Sequence, residues 1–296
     1  MAENRFGLKR RPFSPLPDTE FYYPATQHET ALAHLLRGIA DDEGVLVLTG
    51  VPGAGKTLLG YVLLERLGDT VVSAFLTTSH LADRAALLQA ILFDLGLPYD
   101  GTEQTLRLRL TEQLLKTCAD KKRTVIVIDE AHHLSADLLE ELRLLANLEA
   151  GGGKAVQFVL LAQPSILATL GHSALSSLQQ RITVRATIAA LDVEEAFDYL
   201  LHQVRLAGGK PEKIFEETAL EVIARGSHGI PRCLNQAARQ ALLLAEEGEL
   251  TKVDAEAALE GLSLLGLSDE EAGVHEEPTP DGEGPHPHIQ KFIRTA

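Results

Sequence analysis

The apolar positions between Val45 and Ile188 follow two alternating patterns. Short apolar runs stand at Val45–Leu48, Val71–Leu76, Val125–Ile128 and Val156–Leu161, and short, bounded runs of this kind belong to strands covered on both faces. ITVRATI, Ile182–Ile188, alternates instead and predicts a fifth strand. Between the runs apolar residues recur three and four apart. That period predicts helices over Gln27–Ala40, with Leu32, Leu35, Leu36 and Ile39 on one face, from about Lys56 onward, and over Leu81–Leu95, Glu103–Cys118 and Ser135–Leu148. Two short helical pieces flank Gly171. Four of the five strands are fed by helical segments, so the expected fold class is α/β, a doubly wound, mostly parallel five-stranded sheet.

Beyond Leu191 the strand pattern stops. Helices are predicted near Val193–Leu206, Glu216–Ala224, Cys233–Glu247 and Val253–Leu262, enough for a small helical domain. The chain therefore divides into an arm (1–25), an α/β domain (26–191), a helical domain (192–265) and a tail (266–296). The arm holds four prolines and no period, which argues for an extended segment packed over another surface. Its Phe6, Phe13, Phe21, Tyr22 and Tyr23 are expected mainly to anchor it, with walling of a base pocket as the alternative. The tail is acidic and rich in proline and glycine, a composition that does not support a packed core.

Charge narrows the partners. The chain carries 42 acidic and 27 basic residues, a formal net of −15, which disfavours indiscriminate binding to nucleic acid or to an anionic membrane. Seven acidic and two basic residues after Leu267 account for −5 of it. Two short basic clusters remain, Lys9, Arg10 and Arg11, and Lys121, Lys122 and Arg123. No apolar run reaches the length of a membrane span, the N-terminus lacks an apolar signal core, and Cys118 and Cys233 have no ligand neighbours at metal spacing. The expected location is cytoplasmic.

The chemistry concentrates at two strand ends. Gly50, Val51, Pro52, Gly53, Ala54, Gly55, Lys56 and Thr57 fit G-x-x-x-x-G-K-[ST] between the first strand and its helix. A polyphosphate needs several backbone N–H groups turned to one point, and glycines allow this because they reach positive φ without a Cβ in the way. The helix N-terminus, with Leu58 in its first turn, adds a favourable dipole. Lys56 would reach the β- and γ-phosphates, and the Thr57 hydroxyl would coordinate Mg²⁺. Asp129 and Glu130 end the third strand, where open α/β sheets place their ligands; Asp129 is assigned to the metal shell and Glu130 to the attacking water. His132 and His133 follow. Adjacent residues at a helix start point apart, so helix packing or solvent contact is expected of them rather than zinc.

With Gln163 closing the fourth strand, Arg181 in SSLQQRI and Gly229–Arg232 reading GIPR, these stretches resemble the Walker A, Walker B, sensor 1, arginine-finger and sensor 2 features of AAA+ ATPases. FGLKRRPFSPLPDTEFYYPATQHETAL, DEAHHLS, LLAQPSI and LQQRI are more narrowly similar to the ExeA-type ATPases of the general secretion pathway, and the likeness is shared by ATP-binding subunits of transposition systems. It covers roughly residues 5 to 262. The resemblance implies ATP and Mg²⁺ as cofactors, Gln163 sensing the γ-phosphate, Arg232 reaching it from a helical lid, and Arg181, with Arg185 as the alternative, inserted into a neighbouring subunit of a homo-oligomer. ExeA-type proteins usually continue into a membrane span and a peptidoglycan-binding part, so the likeness is to their cytoplasmic motor.

The expected function is an ATPase coupling turnover to assembly or remodelling of an unknown protein partner in a secretion or envelope complex. One alternative is an ATP-dependent regulator of transposition or assembly on DNA, using the basic clusters. Another is a nucleotide-binding scaffold without turnover, against which Lys56, Thr57, Asp129 and Glu130 all speak. DEAH also occurs in helicases, but those need a second RecA-like domain where this chain reads as purely helical.

Overall fold

The computed structural model describes residues 5–77 and 80–267, so nearly all of the acidic tail lies outside the described residues. Five strands, β1 (Val45–Gly50), β2 (Val71–Leu76), β3 (Arg123–Ile128), β4 (Gln157–Ala162) and β5 (Ile182–Ile188), form one parallel sheet in the order β2-β3-β4-β1-β5. Around it run α1 (Thr26–Ala40), α2 (Lys56–Leu67), α3 (Arg84–Asp94), α4 (Glu103–Ala119), α5 (Ala136–Leu145), α6 (Ile166–Leu170) and α7 (Ser176–Gln179).

The period of two along each strand decides which helices go where. Val45, Val47, Ile126, Ile128, Phe158 and Leu160 point to one face and pack on Leu87, Leu88, Leu110, Leu138 and Leu142 of α3, α4 and α5. Leu46, Leu48, Val125, Val127, Val159 and Leu161 point to the other, against Leu32, Leu35 and Ile39 of α1 and Leu59 and Leu63 of α2. Both faces are dry, which is why the central strands read as continuous apolar runs.

The helix starts are set by side-chain caps. Asp83 accepts from Ala86 N, Thr102 from Thr105 N and Ser135 from Leu138 N. The cap at Asp83 starts α3 three residues later than the apolar period suggests. At the other end, α5 stops at Leu145 rather than Leu148, because Glu149–Ala150 and Gly153–Lys154 pair as a small antiparallel hairpin. Gly151 and Gly152 turn it with φ of +59° and +90°.

The helical domain comprises α8 (Val193–Leu206), a single turn at Pro211–Ile214, α9 (Glu217–Gly226), α10 (Pro231–Glu247) and α11 (Ala255–Leu264). Leu200, Val204, Ile223, Leu234, Ala238 and Ala258 are in its core, and so are Leu8 and Phe13 of the arm. Lys9 N and Arg10 N both donate to Ala207 O (2.8 and 3.2 Å), and the Phe13 ring stands edge-on to Phe215 at 6.2 Å. Further along, the Tyr22 hydroxyl donates to Glu29 of α1, which Arg66 of α2 also grips. The arm is therefore anchored by its aromatics to both domains. No helix among the described residues is long and apolar enough to cross a membrane.

Gly229 joins the helical domain to the sheet. Leu191 N donates to its carbonyl at 2.9 Å, its φ is +67°, and a Cβ there would lie 1.9 Å from Leu191 O. Gly229→Ala must therefore both strain φ and push two backbones apart. A loss of roughly 2–5 kcal/mol is expected, read as a lower denaturation midpoint; a midpoint within error of the parent would show that this junction yields easily.

Candidate functional site

The two motif-bearing strand ends meet. β1 gives way to the glycine loop at Gly50, and α2 begins at Lys56 after Gly55 in a left-handed conformation, φ +96°. No side chain caps α2, so its first N–H groups are left to an incoming acceptor. The Lys56 ammonium, 5% exposed, turns back into the loop and donates to Gly50 O (2.9 Å) and Val51 O (3.1 Å). Burial pushes it below the ordinary lysine range; Glu130 and Asp129 pull it back up, and Arg232 adds to the downward push. A buried ammonium held by two neutral carbonyls, beside a helix N-terminus that no side chain caps, fits a phosphate.

β3 delivers Asp129 beside it. The Thr57 hydroxyl donates to Asp129 Oδ2 at 2.6 Å, and Asp129 Oδ1 accepts from Glu130 N at 2.9 Å. Burial nevertheless pushes the Asp129 carboxyl up. A hydroxyl and a carboxylate in contact are hard oxygen donors of the kind Mg²⁺ takes, so these two residues fit that ion. Glu130 itself sits in the left-handed region, φ +50° and ψ +36°, an uncommon conformation for a residue with a side chain and one that clusters at functional sites.

A cavity of about 570 Å³ opens in front of the loop. Gly53, Gly55, Lys56, Thr57, Leu58 and Glu130 line it from the sheet domain. Gly50 and Val51 serve instead through the carbonyls that hold Lys56, Ala54 is fully buried behind, and Pro52 is exposed outside. The opposite wall comes from the helical domain: Tyr199 and Gln203 of α8, and Arg232, Asn235, Gln236 and Arg239 of α10. The last four lie three, four and seven residues apart, on one helix face. Arg232 N donates to Gly53 O at 3.2 Å, and a Cβ on Gly53 would lie 2.8 Å from Arg232 Cβ, so this glycine also lets the helical domain touch the loop. Phe13–Asp18 and Phe21 of the arm close the far end.

Gln163, Arg181 and Arg185 also lie outside the cavity lining, as does Asp129, which meets it through its hydrogen bond from Thr57. Gln163 follows β4 next to the loop, since Ala162 pairs with Thr49, and its backbone N–H donates to His132 Nδ1 at 3.4 Å. The same nitrogen is 3.4 Å from the Glu130 carboxylate. His132 is therefore placed between Glu130 and Gln163, a position that helix packing alone does not describe; burial and His133 hold it below the ordinary histidine range. His133 stacks on His80 at 4.2 Å. No cluster of three or more metal-ligating side chains occurs among the described residues. Arg181 is exposed at the start of β5 and Arg185 exposed along it. Gly50 pairs with Ile188 at the other end of that strand, which puts Arg181 roughly 20 Å along the sheet from its own loop.

Residues 39–170, which contain the loop, β3 and β4, match the AAA domain family. This chain carries an AAA domain. It is 36% identical over 269 residues to general secretion pathway protein A of Aeromonas hydrophila, covering 90% of this chain and 49% of that protein. It is 27% identical over 240 residues to the Holliday junction branch migration complex subunit RuvB of Chlorobaculum parvum, covering 77% of this chain and 60% of RuvB. The chain thus spans about half to three fifths of the length of the curated relatives it matches. Among solved structures, the ORC2 protein of Aeropyrum pernix, in its ADPNP and ADP complexes, superposes with a TM-score of 0.69 at 18% identity, over 86% of this chain and 71% of that one. That likeness is one of fold alone.

The raised Asp129 has a signed consequence. The unfolded chain ionises this carboxyl in the ordinary range and the folded chain at higher pH, so its contribution to stability is present below that range and lost as pH rises through the folded value. Asp129→Asn escapes the loss. The nucleotide-free variant is expected to gain stability relative to the parent as pH rises above the ordinary aspartate range, about pH 4, measured as the difference in Tm; a variant that loses ground there would mean that the two hydrogen bonds, not burial, dominate.

Proposed function

We propose that the chain binds ATP with Mg²⁺ and hydrolyses it, working as a homo-oligomer whose sites lie between subunits and whose turnover drives assembly or remodelling of a protein partner in a secretion or envelope complex. The observation that carries the reading is the convergence on a single cavity of a buried ammonium, a left-handed glutamate and a hydroxyl that donates to the Asp129 carboxylate behind it, with the opposite wall bonding back to the glycine loop. Nothing in a passive binding fold calls for Glu130 beside such a loop.

The division of labour follows from the chemistry. Lys56 exchanges two loop carbonyls for phosphate oxygens and regains the full benefit of its charge. Thr57 and Asp129 would hold Mg²⁺, which withdraws charge from the phosphate oxygens when bound. Glu130 orients the attacking water and receives its proton. Arg232, whose backbone already rests on Gly53, extends its guanidinium over the cavity as the lid's contribution, and Gln163 holds the near edge beside β1. Arg181 is too distant for its own site and exposed, which supports a role in a neighbouring one, where a guanidinium offsets charge on the transferred phosphoryl group.

A protein partner is favoured over DNA by the fate of the basic clusters. Arg10 is taken up by Asp18 and by the face of Phe21, and Arg123 by Asp42 and the Ala40 carbonyl. The other members are Lys9 and Arg11 at one place and Lys121 and Lys122 at the other, on a chain of strong negative charge. The higher identity to the secretion protein than to RuvB points the same way.

Phosphate release from Mg·ATP, followed against protein concentration with and without duplex DNA, tests the proposal. Specific activity is expected to rise with concentration. Glu130→Gln should keep ATP binding and lose turnover ~10²–10⁴-fold, and Arg181→Ala should lose ~10³-fold or more at unchanged ATP affinity. Stimulation by DNA would move the reading to the DNA-associated branch, and ATP binding without turnover under any condition would leave a scaffold.

A further inference from the structure

We propose that His28 is a positioning residue for the phosphate-binding loop: its imidazole holds the Ala54–Gly55 peptide so that the Gly55 N–H faces the anion site. The inference rests on the nucleotide-binding reading above. His28 lies in the first turn of α1 and is 6% exposed. Its Nε2 is 2.8 Å from Ala54 O. A carbonyl only accepts, so Nε2 carries the proton and the tautomer is fixed. In a neutral ring Nδ1 is then a bare acceptor, and it finds no partner among the described residues. Half of the ring's hydrogen-bonding capacity is left unused in a buried place, and the bond to Ala54 is what the ring gains there.

The geometry of one peptide gives that bond its meaning. The carbonyl and the N–H of a trans peptide point in opposite directions, and no peptide in the described residues is cis. With the Ala54 carbonyl drawn back toward α1, the Gly55 N–H is turned the other way, and Gly55 is one of the residues lining the cavity. Gly55, at φ +96°, has no Cβ; one placed there would meet only His28, at 3.5 Å from Nε2. Such a residue lets the preceding peptide rotate at little cost, so the loop sequence by itself does not hold the amide inward. His28 does, from behind, while Lys56 holds the Gly50 and Val51 carbonyls from inside. The helix that carries His28 is fixed in turn by Leu32, Leu35 and Ile39 in the sheet core. An amide aimed before the anion arrives needs no reorganisation on binding.

The test uses the full chain and ADP as the probe. Binding is measured by calorimetry for the parent, Lys56→Ala, His28→Leu and His28→Gln, and each is melted without nucleotide. His28→Leu is expected to weaken ADP on the order of 10- to 30-fold. His28→Gln, whose amide N–H₂ has similar reach, should return to within about threefold of the parent. A role confined to packing would move the melting temperature and leave that rescue absent. The inference is overturned if His28→Leu binds ADP as the parent does, or if His28→Gln melts like the parent yet binds as poorly as His28→Leu. If His28→Leu does not fold, His28→Asn, polar but too short, replaces it, and equal affinities for Asn and Gln overturn the proposal. Parent and Lys56→Ala binding alike would remove the nucleotide reading and this one with it; loss in Lys56→Ala alone removes only this one.

Discussion

Burying charge is costly unless a partner of opposite sign or a set of hydrogen bonds compensates it. At the C-terminal ends of β1 and β3 the chain buries Lys56 and Asp129, each 5% exposed, and compensates neither fully: the ammonium has two neutral carbonyls, the carboxylate one hydroxyl and one amide. The shifts of both groups away from their charged forms express that deficit. Much of the surrounding structure can be understood as what is needed to keep them there. A sheet dry on both faces gives strand ends that do not fray, and the order of its strands puts β1 and β3 either side of β4, so that loop, carboxylates and Gln163 meet along one edge.

The second requirement is a wall opposite that edge, and the chain makes it from sequence-distant parts. α8 and α10 supply the polar face, and the arm supplies Phe13 and the turn through Asp18. None of these could stand alone. The arm is fixed because Phe13 enters the helical core and because Gln203 Nε2 and His202 Nε2 each bond to arm carbonyls, Phe21 O and Tyr22 O. Tyr199 is fixed by its hydroxyl bond to Asn235 at 2.8 Å, which ties α8 to α10. The cavity is therefore bounded by three segments that hold one another.

How much of this could be read from the sequence depends on how local each interaction is. β2, β5, α8 and the start of α2 fall where the pattern puts them, because hydrophobic period and glycine chemistry act over a few neighbouring residues. The over-extension of the α5 helix to Leu148 has a local cause too, a two-residue hairpin built on Gly151 and Gly152 that is too short to show a period. The loop and the Asp129–Glu130 pair were legible for the same reason: phosphate and metal chemistry demand fixed spacing in one segment. His28, Tyr199, Gln203, Asn235 and Arg239 were not. They reach the site from α1, α8 and α10, and nothing in their own neighbourhood distinguishes them from ordinary polar positions on an amphipathic helix. His132 was half legible, visible as part of DEAHH but assignable only once β4 brought Gln163 against it.

The contacts between the two domains bear on how such a site transmits a signal. The helical domain touches the loop through Arg232 N and Gly53 O, and touches the arm, which runs without a break into α1 and so to His28 and Ala54. A rotation of the helical domain large enough to open the cavity must break the first contact and pull on the second. Loop geometry and lid position are then two readings of one equilibrium, and a ligand that prefers the ordered loop also prefers the closed lid by the same free energy. The contacts in play include that backbone hydrogen bond and the arm's bonds to α8, each worth about 1 kcal/mol net. Bonds of that size are small enough for a bound nucleotide to shift, and large enough that the shift is felt at both ends of the cavity.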